Sequence, residues 1–217
     1  MNQSLDFQLH NSQKNEYQDD DFSLIRDNKK TKFINGEKRN FKITDREDFK
    51  LLNNFYNSTM KIGIGFDVHR LVKERKLYLG GVKIPSKFGT MGHSDGDPVL
   101  HAITDAILGA CGMGDIGEKF SDKIKKFKNI RSTILLNQII YLIENKGYLI
   151  NNIDINIITQ QPKIQKYKKK ITNCIAKICK ILPTQINIKG KTTEKLGVIG
   201  KEKAIACEVI ASVIKYD

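Results

Sequence analysis

A strand and a helix that both carry metal-type side chains constrain this chain more than anything else in it. The run MKIGIGFDVH at 60–69 is apolar and extended in character, and side chains two apart on a strand share a face, so Asp67 and His69 point the same way. A third ligand has to come from elsewhere, and HSDGDPVLH at 93–101 supplies it. Asp97 followed by Pro98 has the chemistry of an N-cap and a first helical residue, which puts His101 on the opening turn of a helix, near the positive end of its dipole. One carboxylate and two imidazoles suit Zn(II) or a similar transition metal, and three protein ligands leave a position for substrate or water. DVH alone reads more simply as a surface pair or a satisfied core contact. HSDGD changes the balance, because a His, a Ser, two carboxylates and a Gly ahead of a helix are poor core material and suit a phosphate or metal loop.

At 217 residues with 40% hydrophobic content, the chain can bury the core of one medium domain or of a domain plus an appendage. Charge separates the two parts. The first 59 residues carry ten basic and ten acidic side chains, so the whole net charge of +13 lies in residues 60–217. An excess of that kind fits nucleic acid, an acidic membrane surface or a small polyanion such as a diphosphate. Its lysines alternate with Ile and Asn, as in KIKKFKNI, and aromatic side chains are sparse there, so a solvated basic surface is the plainer reading and no nucleic-acid partner is expected. Cys111, Cys174, Cys179 and Cys207 show no CxxC spacing and read as reduced, mostly buried small apolar residues. No run of ~18 uncharged apolar residues is present to cross a bilayer. The N-terminus lacks a secretory apolar region, and Asp19, Asp20 and Asp21 argue against a transit peptide. The expectation is a cytoplasmic protein without a membrane partner.

The pattern predicts a strand over 60–68 and a hairpin across 78–84 turning at Gly80 and Gly81. A loop from Pro85 to Asp97 then leads to a helix over 98–111. A second helix is predicted over about 131–145 with Gly147 beyond its end, then a strand with Ile153, Ile155 and Ile157 on one face. Ile164, Tyr167, Ile171, Ile175, Ile178 and Leu182 recur at helical spacing up to Pro183, and INIKG and AIACEVIASVIKY supply two more strands. The fold class that follows is α+β, a small, mostly antiparallel sheet with helices packed on one face. Two other segments look chemical. GDIGEKFSD, at 114–122, joins Asp115, Glu118 and Asp122 with two glycines, or is a plain acidic linker. KTTEKLG, at 191–197, could hold phosphate oxygens on Thr192 and Thr193 and a hard cation on Glu194, or be an ordinary ST-turn or capping box.

GFDVHR, LGGVKIP, HSDGD followed by LHAITDAILGA, GDIG, QQPK, TTEKLG and IACE occur in the order and spacing of the 2-C-methyl-D-erythritol 2,4-cyclodiphosphate synthases. The resemblance covers residues 60 to about 215 and implies a homotrimer with active sites between subunits. It also implies the cyclisation of 4-diphosphocytidyl-2-C-methyl-D-erythritol 2-phosphate with release of CMP. On this resemblance Asp67, His69 and His101 hold one divalent transition metal per subunit, Zn or Mn, and Glu194 holds Mg or Mn with the substrate diphosphate. His93 and Thr192 flank the reacting phosphates, with Ser94 beside them. Asp115 and Gly117 meet the methylerythritol part. Gln160, Pro162 and Lys163 line the cytidine pocket of the neighbouring subunit, and Ile116, Asp122, Thr159, Gln161, Lys191, Thr193, Val198 and Lys201 complete the substrate-binding set.

The chain departs from the family pattern at four places. Gly63, Ile64 and Gly65 stand where GHG is usual, Ile124 replaces an Asp, and Lys191 replaces a Thr. Lys201 stands for an Arg that can fork onto a diphosphate at the trimer axis, which argues against an isoprenoid-diphosphate site there. Residues 1–59 resemble the C-terminal end of 4-diphosphocytidyl-2-C-methyl-D-erythritol cytidylyltransferase, which some bacteria fuse ahead of the synthase. About 59 residues are too few for a nucleotide-binding α/β domain, so these are expected to be a poorly ordered remnant without cytidylyltransferase activity.

Overall fold

The computed structural model describes residues 43–50, 60–121, 124, 127 and 129–216. Residues 1–44 and 45–217 form separate units, and most of the predicted N-terminal remnant lies outside the described residues, as does Asp122. Residues 46–50 are helical, and the Asp45 carboxylate caps them by accepting from the Glu47 and Asp48 amides.

Strand β1 (Met60–Lys73) is followed by β2 (Leu77–Leu79), β3 (Val82–Ile84), β4 (Phe88–Thr90), helix α1 (Pro98–Cys111), the single turn α2 (Ile116–Lys119) and α3 (Ser132–Glu144). After them come β5 (Tyr148–Ile158), α4 (Lys168–Cys179), β6 (Ile186–Lys191), the short α5 (Gly197–Gly200) and β7 (Ala204–Lys215). The main sheet runs β4-β1-β7-β5-β6, with β2 and β3 as a separate hairpin. Every pairing in the main sheet is antiparallel except β5 with β6, which α4 connects, so the sheet is mixed.

Two glycines set how helix and strand meet. A Cβ on Gly63 would lie 2.0 Å from the Ala106 carbonyl oxygen, and one on Gly65 would lie 2.0 Å from that of Ala102. Backbone therefore touches backbone along the seam. Two strand residues advance roughly 6.6 Å and four helical residues roughly 6 Å, so Gly63 and Gly65 keep step with Ala106 and Ala102. Carried one step further, the match brings Asp67 to the opening turn of α1.

Asp97 caps α1 as predicted, accepting from Val99 and Leu100 amides at 3.1 and 3.2 Å. Its carboxylate also accepts from Gly80 at 2.9 Å and Gly81 at 2.6 Å, tying the β2–β3 turn to the helix start. Gly80 and Gly81 have φ of 58° and 79°, the pair of positive values that a two-residue hairpin turn requires. The core is the helix-side face of the sheet, where Ile153, Ile155 and Ile157 are fully buried with Cys207, Val209 and Ala211 of β7 under Ile103 and Ile107. A bulge between Ile150 and Asn152 restores the phase of β5, so that Tyr148 and Ile150 also point inward.

Three expectations need correction. The loop predicted over 85–97 contains β4, which pairs Thr90 with Leu71 because β1 continues to Lys73. The helix expected up to Leu182 divides into a 3-10 turn at Ile164–Lys166 and α4, which stops where Lys180 turns left-handed at φ 56°. Leu182, taken as part of the apolar stripe, is exposed. Finally, GDIGEKFSD contains a helical turn and is more than a linker.

Candidate metal centre and neighbouring clefts

Asp67 and His69 project from the helix-facing side of β1, and His101 reaches them from the first turn of α1. Asp67 Oδ2 lies 2.8 Å from His69 Nε2 and 2.9 Å from His101 Nδ1, and the two nitrogens are 3.2 Å apart. Ligand atoms around a tetrahedral zinc at Zn–N distances near 2.05 Å sit roughly 3.3 Å from one another. The triangle thus needs only a slight opening to seat such an ion, and this is the one group of three possible ligands that converges among the described residues.

Each imidazole is oriented from behind. His69 Nδ1 donates to the Met91 carbonyl at 2.6 Å, which leaves Nε2 to face Asp67. Burial works against ionising Asp67, but hydrogen bonds from His101 and His69, with their charge, hold its carboxyl at about 2. Burial likewise disfavours the charged form of His69, yet the hydrogen bond and charge of Asp67 and the Met91 carbonyl together raise its pKa.

The triad borders a cleft of about 440 Å³ that His93, Ser94, Asp105, Ile116 and Gly117 also line, with Phe120, Phe127 and Leu135 as apolar wall. Ser94 is buried, and its Oγ lies 3.0 Å from His101 Nε2, on the side of the ring away from Asp67. Asp115 does not line the cleft; it caps α2 by accepting from the Glu118 amide at 2.9 Å. Asp105 was not foreseen, although it follows His101 by one helical turn in LHAITD. It accepts from the Ile116 amide at 2.8 Å, pinning the α2 turn to α1. Burial raises its carboxyl pKa, opposed by that amide and reinforced by the charges of Asp115 and Asp67.

A second cleft, of about 240 Å³, gathers Thr159, Pro162, Lys163, Lys191 and Thr192, together with Gln165 and Lys168, which the motifs did not single out. Thr192 Oγ1 donates to Glu194 at 2.5 Å, and Thr193 Oγ1 donates to the Leu196 carbonyl at 2.7 Å. Gln160, Gln161, Thr193, Glu194, Val198 and Lys201 line neither cleft, and Glu194, Val198 and Lys201 are exposed. The four cysteines are free, and all but the half-buried Cys174 are buried. Burial pushes the Cys111 thiol up to about 11 and that of Cys179 to about 12, so neither is a nucleophile at neutral pH. No helix among the described residues is long and apolar enough to cross a membrane.

A mixed sheet covered by helices, with an Asp–His–His triad at one strand–helix seam, defines a metal-site α+β domain. The chain belongs to the YgbB family, whose model matches residues 60–214. It is 72% identical over 211 residues to a bifunctional enzyme IspD/IspF of Pelagibacter ubique (strain HTCC1062), covering 97% of this chain and 56% of the relative. It is 51% identical over 150 residues to a 2-C-methyl-D-erythritol 2,4-cyclodiphosphate synthase of Caldicellulosiruptor bescii, covering 69% of this chain and 96% of the relative. Among solved structures, an IspF of Plasmodium falciparum in complex with CDP matches with TM-score 0.65 and 42% identity over 74% of this chain and 99% of the other. The chain spans about half the length of the bifunctional relatives it matches. The match to the first of them extends the IspD resemblance through the N-terminal segment.

Proposed function

We propose that residues 60–217 act as a 2-C-methyl-D-erythritol 2,4-cyclodiphosphate synthase, closing the substrate's 2-phosphate onto its own diphosphate with loss of CMP. The observation that carries this reading is the Asp67–His69–His101 triangle, of a size for a tetrahedral ion, at the edge of a cleft large enough for a sugar phosphate. An oxygen of the 2-phosphate attacks the β-phosphorus, the bond from that phosphorus to the bridging oxygen breaks, and CMP leaves with the oxygen. A bound metal, zinc in our reading and manganese as the alternative, supplies Lewis-acid polarisation of the β-phosphate. The chain's own residues bring the reacting phosphates into line and offset their charge.

In that scheme His93 and Ser94 border the phosphates from the triad's side, while Asp115, Ile116 and Gly117 hold the methylerythritol hydroxyls. Thr192, Thr193 and Lys191 meet the diphosphate from the second cleft, and Glu194 holds the Mg or Mn that travels with it. Gln160, Gln161, Pro162 and Lys163, with Thr159, receive the cytidine. The two clefts belong to neighbouring copies in a homotrimer. Support for assembly comes from the sheet face away from the helices, where Met60, Ile62, Ile64, Phe66 and Val68 of β1 lie exposed in one stripe beside Ile210 of β7. A contiguous apolar face of this kind marks a surface that another chain covers. On its own, the segment 1–59 transfers no cytidylyl group in this reading.

Phosphorus NMR of the protein with the diphosphocytidyl substrate, zinc and magnesium tests the proposal. A cyclic diphosphate and CMP are expected. Release of inorganic phosphate would instead identify a hydrolase that uses water, and omission of the substrate in favour of CTP and methylerythritol phosphate tests the N-terminal segment.

A further inference from the structure

We infer that Asp95 and Ser132 are positioning residues for the metal site, a buried relay that fixes which nitrogen of His101 carries its proton and so presents Nδ1 as a ligand. The inference rests on the metal reading above, and it gives a role there to Asp95, one of the HSDGD carboxylates, and to Ser132, which belongs to none of the motifs.

Ser132 opens α3 and is buried, and its Oγ lies 2.9 Å from His101 Nε2. The same Oγ is 2.5 Å from Asp95 Oδ1, which also accepts from the Ser132 amide at 3.2 Å. The other oxygen of Asp95 is held by an immediate partner, since Arg131 Nε donates to Oδ2 at 2.8 Å. Arg131 is itself held, donating to the Gly81 carbonyl at 3.0 Å with its guanidinium 4.1 Å above the Tyr78 ring.

A carboxylate only accepts, so the single Ser132 hydroxyl proton goes to Asp95. What Ser132 turns toward His101 is then a lone pair, and Nε2 has to be the donor. An imidazole protonated at Nε2 has its free pair on Nδ1, the atom that faces Asp67 and His69. Ser94 Oγ, 3.0 Å from the same Nε2 and accepting from the Gly96 amide at 3.2 Å, stands as a second acceptor. His69 solves the same problem with a backbone carbonyl and presents the opposite nitrogen, Nε2. Groups behind a metal-bound imidazole commonly tune affinity in this way.

Ser132 and Asp95 do not line the cleft, so a change in either reports on the metal and not on substrate contact. The test is zinc affinity by competition with a chelator for wild type, Ser132→Ala, Ser94→Ala/Ser132→Ala, Asp95→Asn and His101→Ala. We expect Ser132→Ala and Asp95→Asn to bind zinc ~10-fold more weakly and the double variant ~100-fold, within the span known for groups behind metal ligands. In zinc-loaded wild type, proton NMR should show a slowly exchanging His101 Nε2 proton with a cross-peak to the Ser132 β-protons. That spectrum decides the matter even where a variant does not fold: an Nε2 without a proton, or with one in fast exchange with water, overturns the relay. Wild-type affinity in a folded double variant overturns it equally. If His101→Ala binds zinc as wild type does, the metal reading itself has failed.

Discussion

Where Asp67, His69 and His101 meet, each imidazole is fixed from behind by a group from another part of the chain, whereas the Thr192 and Thr193 hydroxyls bond within their own short segment, to Glu194 and the Leu196 carbonyl. Met91 and Ser132 hold the two imidazoles, and the β1–α1 seam holds the elements that carry them. In the second cleft Thr192 donates to Glu194, both on one exposed turn in which Glu194 and Lys195 take φ of 50° and 66°. Non-glycine residues in that region cost roughly 1–2 kcal/mol each. Lys191 and Glu194 are exposed, and Gln160 Oε1 is buried without a partner among the described residues. The first region is built to hold an ion before anything else arrives. In the proposed function the second is completed by what binds to it, a diphosphate with its cation or a neighbouring subunit.

The sharpest way to break this contrast is to remove one member from each side. His101→Ala should abolish tight zinc binding and lower turnover roughly a thousandfold, the loss of several kcal/mol of charge stabilisation. Thr192→Val should lower turnover roughly a hundredfold, as for loss of one phosphate-directed donor, while leaving zinc affinity at its wild-type value. Calorimetric titration of zinc into both variants decides. A Thr192→Val protein that binds zinc poorly would show that the two clefts are not independent.

Gly65→Ala probes the seam. Its Cβ would lie 2.0 Å from the Ala102 carbonyl oxygen, a backbone atom that cannot rotate away. The helix has to shift, at a cost of about 1–3 kcal/mol for overpacking, and His101 shifts with it. Thermal unfolding should therefore drop by several degrees, and zinc affinity should fall in the same variant. Unchanged zinc affinity in a destabilised Gly65→Ala protein would mean that the triad is positioned by something other than the seam.

How much of this was legible in the sequence follows the range of the interactions. Asp97 ahead of Pro98 and the glycine pair at 80 and 81 are local signals, and both appear where expected. Asp67 and His69 share a strand face for the same reason. The purpose of Gly63 and Gly65 was not visible, because it depends on Ala102 and Ala106 arriving from another element. Asp95 was visible as one of the HSDGD carboxylates, but Ser132 carries no signal of its own, and thirty-seven positions separate the two. β4 escaped because three residues are too short to show a period.

The metal-free triad should also write its charges into the pH dependence of stability. The Asp67 carboxyl is depressed from 3.8 to about 2, so its contribution, on the order of 2 kcal/mol, is present above pH ~4 and lost as the pH falls toward 2. His69 is raised above its ordinary 6.5, so its share is full below that pH and is lost as the pH rises through the raised value. Denaturant titration of zinc-free protein should thus show this contribution largest between pH ~4 and ~6.5, and His69→Ala should flatten the alkaline side. Zinc binding should run the other way, weakening as acid protonates the ligands.

The smallest effect is expected at Lys191, the residue where this chain departs from the usual Thr. Its ammonium is exposed on the rim of the second cleft, beside Lys163 and Lys168, so the charge it offers a diphosphate is screened and partly duplicated. An exposed charge contact is worth ~0.2–1 kcal/mol, which corresponds to a change of severalfold at most. Lys191→Thr should therefore raise KM a few-fold with turnover almost unchanged, and the difference should vanish as salt rises from 0.05 to about 0.5 M. A loss confined to turnover and insensitive to salt would place Lys191 against the reacting phosphates, and the second cleft would then be as closely engineered around the chemistry as the first.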